Sequence, residues 1–288
     1  MSQYFFDRVI RLNIGKYNSS NVLVPVVTLT EPLRISFDAT KTEFSIVNMA
    51  TVTVNNLADS TRNKIKSGMI AILEAGYAEM GGLQLLFHGD VFEVNHNIEK
   101  PEIITTITIC DGHAAIRKKK ISVSYKKGSS IAQIIKDCTK AIGLPMNTSF
   151  DSVQLPKQSI SETASFTGNA AQWLDKVCGE NGLQWSVQNG KIKIYEFGKT
   201  DNLPPLQSVL IGSPKRLFRN DLSASIEDFS GYEFNALLMP QCEPGSAVTF
   251  TSKEVTKSVR LQVAQVKHTG DNYGDDWKTN VRARDIWI

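Results

Sequence analysis

Apolar and polar residues alternate along most of the first 112 residues of the chain. Residues 33–38 read L-R-I-S-F-D, residues 52–54 continue the pattern as V-T-V, and residues 103–110 are rich in β-branched side chains. A period of two places successive side chains on opposite faces of an extended strand. The alternation therefore predicts a first region built mainly of β-strands.

A short stretch inside this region follows a different period. In residues 56–68, Leu57, Thr61 and Ile65 recur at helical spacing, and Gly68 stands where a helix would end. One short helix is therefore predicted to interrupt the strands.

Between about residues 117 and 198 the pattern becomes helical. Ser129 or Ser130 is placed to cap a first helix, and Gly143 stands just past its end. The apolar stripe of this helix consists of Ile131, Ile134, Ile135, Cys138 and Ile142. A second helix is predicted over residues 167–181, with Gly182 as its stop.

Residues 185–195 carry the clearest hairpin signal in the chain. Two alternating runs flank Asn189-Gly190, a dipeptide favoured in type I′ turns because both positions accept a positive φ. The middle region is therefore predicted to be α+β, in two small segments that divide near Leu155-Pro156.

Strand periodicity returns after residues 201–205, where two prolines mark a connector. Val259, Leu261 and Val263 alternate cleanly, but Val266 falls out of phase, which predicts a β-bulge before His268. The predicted domains are a β domain over 1–116, an α/β segment over 117–155, a helix-plus-hairpin segment over 156–200 and a β domain over 201–288.

The two β regions share a sequence pattern. Residues 91–96 and 263–268 both read V-x-x-V-x-H, and a glycine opens an apolar run upstream of each, at Gly68 and Gly245. The pattern T-x-[IV]-x-[IA]-x-D follows downstream of each. Three elements in the same order indicate a duplicated unit, which favours a symmetric building block over an enzyme.

Composition narrows the class of protein. The 288 residues are 41% hydrophobic and 21% charged with a net charge of +3, an ordinary globular balance whose charge is too small to indicate a nucleic-acid or membrane partner. The cysteines are too widely spaced to indicate a zinc site or a disulfide framework. They are Cys110, Cys138, Cys178 and Cys242. Because the sequence begins without a signal-peptide pattern and has no run of 18 apolar residues, we expect synthesis in the cytoplasm without membrane insertion.

The sequence contains no recognisable catalytic signature. P-loop, G-x-G-x-x-G, H-E-x-x-H, G-x-S-x-G and kinase patterns do not occur. His88-Gly89-Asp90 is more typical of a turn than of a catalytic pair. His96 and His268 occupy equivalent strand ends, and we interpret both as structural rather than as metal ligands. No catalytic residue, cofactor site or metal site is therefore predicted.

Two charged stretches bear on possible binding functions. Asp271, Asp275 and Asp276 lack the spacing and the terminal glutamate of an EF-hand, so a tight acidic hairpin loop is predicted there. The basic run 117–120 is predicted to be a solvated hairpin face, and contact with a polyanion or an acidic partner is the alternative.

Several short motifs together resemble those of a known protein family. In the first unit they are Asn56-Leu57, Gly68, Ala75-Gly76-Tyr77, the L-F-H-G-D-V of residues 86–91, and Asp111-Gly112. In the second unit they are Pro244-Gly245, residues 263–268, Thr269-Gly270-Asp271 and Trp277-Lys278-Thr279. With these motifs the chain resembles the baseplate or tail-tip hub proteins of tailed bacteriophages and related contractile machines, the late-control-protein-D-like group. The candidate structural residues are Gly68, Tyr77, His96, Asp111, Gly245, His268, Asp271 and Trp277.

This resemblance implies an α+β, β-dominated fold in which two similar tail-tube-like β-barrel or sandwich domains flank a small α/β insert. Residues 121–144 look like the LysM-like segment that such hubs often carry. Hubs of this family are trimers, and two units from each of three chains form a ring with pseudo-sixfold symmetry. The implied function is a non-enzymatic structural adaptor between a sixfold tail tube and a threefold central spike.

The resemblance also implies partners and a location. The expected partners are two further copies of the chain, the tail tube protein and the central spike, together with tape-measure and baseplate wedge proteins. DNA is expected only to pass through the lumen, and the expected location is the virion baseplate after assembly in the host cytoplasm. Because the sequence ends at Trp287-Ile288, soon after the second repeat, no fused lysozyme or long spike is expected. A peptidoglycan-binding or cell-wall-degrading tail protein, and the tail-tip hub of a non-contractile phage, remain the alternatives.

Overall fold

The computed structural model describes residues 7–99, 101–146, 156–196, 199–200, 204–218, 229–252 and 259–286. Two β units and an α/β insert follow one another along these residues. Strands dominate the architecture and helices are few and short, so the predicted β-dominated α+β class is confirmed.

In the part of the chain that the structure describes, the first β unit contains seven strands, of which the sixth is unusually long. They are β1 Arg8–Tyr17, β2 Leu23–Thr30, β3 Ile35–Thr42, β4 Met49–Asn55, β5 Ile70–Tyr77, β6 Gly82–Glu99 and β7 Glu102–Cys110. The helix predicted within residues 56–68 is a single turn, α1 Asp59–Arg62. A 3-10 turn over Ala78–Met80 connects β5 to β6.

Over its described residues, the insert contains three helices and two strand pairs. Its elements are α2 His113–Lys118, β8 Lys120–Tyr125, α3 Ile131–Ile142, β9 Ala164–Asn169, α4 Ala170–Glu180, β10 Leu183–Gln188 and β11 Lys191–Glu196. β8 pairs with β9, and β10 pairs with β11. The division predicted near residues 155 and 156 stays a prediction, since Leu155 lies outside the described residues.

The first predicted helix of the insert is confirmed as α3, with Ser130 before it and Gly143 in the left-handed region after it. The second helix begins later than predicted. Residues 167–169 still belong to β9, because the Asn169 side chain caps α4 by accepting hydrogen bonds from Ala171 N (2.9 Å) and Gln172 N (3.1 Å). The Asn189-Gly190 turn is confirmed, with φ of 52° and 77° at its two residues.

The second β unit repeats part of the first. Its strands are β12 Leu206–Gln207, β13 Lys215–Leu217, β14 Gly231–Leu237, β15 Ala247–Phe250, β16 Val259–Asp271 and β17 Trp277–Asp285. The predicted connector over residues 201–205 lies partly outside the described residues.

Both β units belong to one sheet of 13 strands. Its order is β13-β14-β17-β16-β3-β4-β7-β6-β5-β1-β2, and off this path β15 pairs with β16 and β12 pairs with β15. The two units join where β16 of the second pairs antiparallel with β3 of the first. Three apolar clusters fill the first unit, the insert and the second unit, and Leu238 and Trp277 of the second unit pack into the first cluster.

Candidate functional site

Two hairpins, β6·β7 and β16·β17, carry the duplicated sequence pattern, and their pairing registers match. β6 pairs with β7 through a register shift between Val91 and Glu93. β16 pairs with β17 through a shift at the equivalent place, between Val263 and Gln265. The out-of-phase valine had predicted the second bulge, which is confirmed, and the first hairpin contains the same bulge.

The glycine upstream of each hairpin makes the same contacts in both units. Gly68 N donates to Val91 O at 2.8 Å, and Val91 N donates to Met69 O at 2.7 Å. Gly245 N donates to Val263 O at 2.7 Å, and Val263 N donates to Ser246 O at 2.9 Å. Both glycines have a positive φ, 82° and 85°, which a side chain would make unfavourable.

The aspartate that ends each repeat has the same backbone contact but a different side-chain environment. Asp111 N donates to Asn48 O, and Asp285 N donates to Ser230 O, both at 3.0 Å. The Asp285 carboxylate forms an ion pair with Arg216. Asp111 is fully buried and accepts from Gly190 N at 2.9 Å, and burial raises its pKa to about 7.

The two matched histidines also share a partner and differ in burial. His96 Nδ1 lies 3.2 Å from Thr105 Oγ1, and His268 Nδ1 lies 2.9 Å from Thr279 Oγ1. His96 is exposed, whereas His268 is fully buried. Burial lowers the pKa of His268 to about 3, so the ring is neutral near pH 7. Burial, followed by Arg62 and Lys66, also lowers the pKa of His96.

The two histidines differ in burial because the strands that lie beside β16 and β6 differ. β16 is covered by β3 over residues 265–271, with Val266 opposite Lys41 and His268 opposite Ala39. The corresponding part of β6, after Val91, pairs with β7 alone among the described strands. Its apolar side chains are correspondingly exposed, Phe92 at 50% and Ile98 at 65%. We refer to residues 92–99 as the open edge of β6.

The remaining candidate residues connect the two units rather than forming one catalytic centre. Tyr77 Oη accepts a hydrogen bond from Leu238 N of the second unit at 3.1 Å. Trp277 packs edge-on against Phe37 of the first unit, with ring centroids 5.6 Å apart. Asp271 forms an ion pair with Arg34 at 2.8 Å. The acidic residues after Asp271 lie in the tight connection between β16 and β17, as predicted.

A buried ionic cluster, which the sequence did not predict, joins the insert to both β units. Glu243 forms ion pairs with Lys193 of β11 and with Lys41 of β3, the latter at 3.6 Å, and it accepts from the Asn189 side chain. Burial opposes ionisation of Glu243, but Lys41 and Lys193 outweigh it and hold the pKa at about 2. A second buried pair, Arg284 with Glu43, lies between β17 and the end of β3.

His88-Gly89-Asp90 does not form the predicted turn, because all three residues lie within β6. Gly89 allows the close approach of β7, since a Cβ there would lie 2.5 Å from Cys110 O. His88 Nε2 lies 2.7 Å from Tyr17 Oη. The contacts of His88 and Gly89 are therefore structural.

The basic run 117–120 also lies elsewhere than predicted. Arg117 and Lys118 end α2, and Lys120 begins β8, so the run spans a helix end and a strand start rather than a hairpin face. Cations are favourable at that end of a helix because of its dipole.

One face of the large sheet is polar across both units. Directly opposed pairs on this face include Thr51 with Thr108, Thr53 with Thr106, and Lys267 with Asn280. Lys267 also forms an ion pair with Asp38 at 2.7 Å. These pairs place hydroxyl and amide groups beside charges of both signs.

Across the described ranges, no group of three or more His, Cys, Asp or Glu side chains is arranged to hold a metal ion. All four cysteines are free and buried.

None of the helices in the described residues is long and apolar enough to cross a membrane.

Solved structures of tail proteins share this fold over almost the whole chain. The 43 kDa tail protein of prophage MuSo2 from Shewanella oneidensis is similar with a TM-score of 0.64 and 10% identity, over 97% of this chain and 98% of that one. A tail protein from Neisseria meningitidis MC58 has the same TM-score and identity, over 97% of each chain. At this identity the likeness concerns the fold.

The fold extends to secretion machinery. The E. coli c3393 protein, described as a component of the type VI secretion system with structural similarity to T4 tail proteins gp27 and gp5, has a TM-score of 0.56 and 10% identity, over 89% of this chain and 74% of that one. No curated protein matches the chain.

Sequence comparison identifies the family directly. The family described as baseplate hub gp41 matches residues 18–200, which is more than half of the chain and includes the first hairpin and the insert. The resemblance to phage hub proteins is thereby confirmed, and the chain belongs to the baseplate hub gp41 family.

Proposed function

We propose that this chain is a structural hub that assembles as a homotrimer and adapts a sixfold tail tube to a threefold central spike. The observation that carries the proposal is the pair of matched hairpins, each with the same bulge, glycine contact and histidine–threonine contact. Two equivalent units in each of three chains supply six equivalent positions around one axis.

The way in which the two units join supports a closed ring. The two units contact each other through different edges, β16 of the second unit and β3 of the first, which is a head-to-tail contact in the sense of symmetry. If the same contact is repeated between chains, each unit is rotated by a constant angle from the one before it. A head-to-tail contact gives a closed ring when that rotation divides a full circle. Such an obligate interface is expected to bury on the order of 2,000 Å² or more.

The polar face of the sheet supports a role as the wall of the central channel. Hydroxyl and amide groups such as those of Thr53, Thr106 and Asn280 remain hydrated and offer no apolar patch to a passing polymer. Lys267 is paired with Asp38, which leaves little free positive charge to hold DNA phosphates at this point. We propose that DNA passes along this face without binding.

The proposed partners follow from this position. The tail tube and the spike contact opposite ends of the ring, and tape-measure and baseplate wedge proteins are further partners. The proposed location is the tail baseplate of the virion, after assembly in the host cytoplasm. Membership of the baseplate hub family supports this assignment at the level of the baseplate.

We propose that the chain has no enzymatic role. The two matched histidines support this, since each Nδ1 contacts a threonine of its own hairpin rather than a carboxylate or a nucleophile. Incubation with purified cell wall checks the proposal: neither binding nor loss of turbidity is expected, and turbidity loss would show an enzyme.

Mass measurement tests the assembly. Sedimentation of the chain alone and of its complex with the spike is expected to give three copies of this chain per particle. Low-resolution images are expected to show threefold symmetry with six similar lobes around a pore. A strictly monomeric chain in both samples would contradict the proposal.

A further inference from the structure

The β16·β3 junction inside one chain predicts how neighbouring chains pair. We propose that the open edge of β6 pairs antiparallel with β13 of a second copy, in the register that β16 and β3 use within the chain. This inference rests on the proposed ring and specifies which strands close it.

The direction of the backbone N–H and C=O groups at the open edge of β6 can be inferred from β16, whose equivalent edge is covered by β3. Glu43 N donates to Ala264 O at 3.0 Å, and Asn272 N donates to Ile35 O at 3.2 Å, so these two bonds bracket the β16·β3 ladder. Because backbone groups alternate in direction along a strand, the even-numbered residues of β16 between them direct their N–H and C=O groups toward β3.

By equivalence, Val94, His96 and Ile98 direct their backbone groups toward the open edge of β6. Unpaired groups of this kind are a template for another strand.

β13 is the counterpart of β3 in the second unit. Leu217 lies opposite Gly231 on β14, just as Thr40 lies opposite Met49 on β4. Gly231 and Met49 are themselves equivalent, because each pairs with the residue directly before the aspartate that ends its repeat. β13 therefore aligns with β3. In the described part of the chain β13 pairs with β14 alone, so its other side is available.

The register can be transferred residue by residue. Within the chain Lys267 faces Thr40, His268 faces Ala39 and Val266 faces Lys41. The equivalent pairs between copies are Asn95 with Leu217, His96 with Arg216, and Val94 with Phe218.

Exposed apolar side chains at both edges support the pairing. Phe92 and Ile98 are exposed at the open edge of β6, and Phe218, which follows β13, is 76% exposed. Pairing in this register would put Phe218 opposite Val94, on the face that in β16 packs into the core of the second unit through Val266. The open edge also lacks the proline and lysine residues that protect the free edges of many sheets.

A pair of cysteines tests the register. The double variant Asn95→Cys with Leu217→Cys places the two thiols directly opposite each other. In the proposed ladder these two residues form a non-hydrogen-bonded pair, whose Cα atoms are close enough for a disulfide. The matched control, His96→Cys with Leu217→Cys, is slipped by one residue and directs its thiols to opposite faces. The native cysteines are all buried and do not compete.

Mild oxidation of the purified chain, with and without the spike, is expected to link copies into covalent dimers and trimers only in the Asn95/Leu217 variant. Sedimentation could show a trimer while the Asn95/Leu217 variant does not cross-link, or while the slipped control cross-links equally. Either result overturns the strand pairing and leaves the proposed function standing. A chain that stays monomeric in both samples overturns both.

A charge at the open edge gives an independent test. Ile98→Lys is expected to raise the concentration for half-assembly roughly tenfold or more, since burial of an isoleucine is lost. The matched control is Val24→Lys on β2, because Val24 is also about half exposed, at 52%, on an outer strand. It is expected to leave assembly unchanged. Equal effects of both substitutions would contradict the inference.

Discussion

The hairpins β6·β7 and β16·β17 have the same sequence pattern, the same bulge and the same histidine–threonine contact, and yet only β16·β17 has its histidine buried. β3 covers the edge of β16, whereas the equivalent edge of β6 has no covering strand in the described chain. As a result His268 is buried and His96 is exposed. Local sequence therefore determines the hairpin geometry, and the neighbouring strand determines the environment of the histidine.

The covered hairpin, β16·β17, also lies against a buried ion pair. Lys41 of β3 lies opposite Val266, and its ammonium group is neutralised by Glu243, which follows Cys242 in the connection between β14 and β15. Burial lowers the pKa of Lys41, while Glu243 opposes that effect. The covered edge is thus held by both apolar packing and a buried ion pair.

The largest expected effect comes from removing this counter-charge. Glu243→Gln leaves Lys41 and Lys193 buried without their carboxylate, and we expect it to lower the free energy of unfolding by about 3–5 kcal/mol. The control Glu93→Gln changes an exposed carboxylate on the open hairpin and is expected to cost less than about 0.5 kcal/mol. Denaturant unfolding of both variants measures the difference, and equal losses would show that the cluster does not stabilise the covered hairpin.

The matched threonines give a smaller and more direct comparison. Thr279 Oγ1 contacts buried His268 and accepts from Met239 N at 2.9 Å, so Thr279→Val leaves buried polar groups unsatisfied and is expected to cost roughly 2 kcal/mol. Thr105→Val removes the same contact to exposed His96, which water can replace, and is expected to cost less than about 1 kcal/mol. A reversal of this order in urea unfolding would contradict the assigned environments.

Much of the strand architecture could be predicted from the sequence. Alternation identified β3 and β4, and β-branched residues identified β7. The phase of Val266 identified the bulge in β16, and Asn189-Gly190 identified the hairpin turn. Each of these signals depends on residues close together in the chain, where side-chain period and backbone preference act directly.

The buried ionic cluster could not be predicted in this way. Lys41 and Glu43 occupy a short alternating run that reads as a strand with a solvent-facing side, yet their partners Glu243 and Arg284 lie some 200 residues away or more in sequence. The turn predicted at Gly89 is wrong for a related reason: β6 is 18 residues long, and a glycine in its interior resembles the end of a shorter strand.

A pH series separates the two histidines. Unfolded His268 takes up a proton near pH 6.5 and the folded residue only near pH 3, so the unfolded state binds more protons in between and stability falls as pH falls. From pH 6.5 to 5 this costs roughly 2 kcal/mol, and His268→Gln is expected to remove that dependence.

The comparison is made between variants because Glu43 and Asp111, whose pKa values burial raises to about 7, change stability in the opposite direction over this range. His96→Gln in the unassembled chain is expected to change the slope much less. If the two histidine variants behave alike, the difference in burial is contradicted.

The smallest effect concerns the ion pair across the β16·β3 junction. Lys267 contacts Asp38 at 2.7 Å with both side chains about half exposed, so a double-mutant cycle of Lys267→Ala and Asp38→Ala is expected to give a coupling of about 0.2–1 kcal/mol. Asn95, the counterpart of Lys267 on the open hairpin, carries no charge, so the junction proposed between copies would have no such pair. A coupling well above 1 kcal/mol would mean that the ion pair, rather than the backbone ladder and the apolar face, holds β3 on β16. The open edge of β6, with neutral Asn95 in place of Lys267, would then be a poor partner for β13.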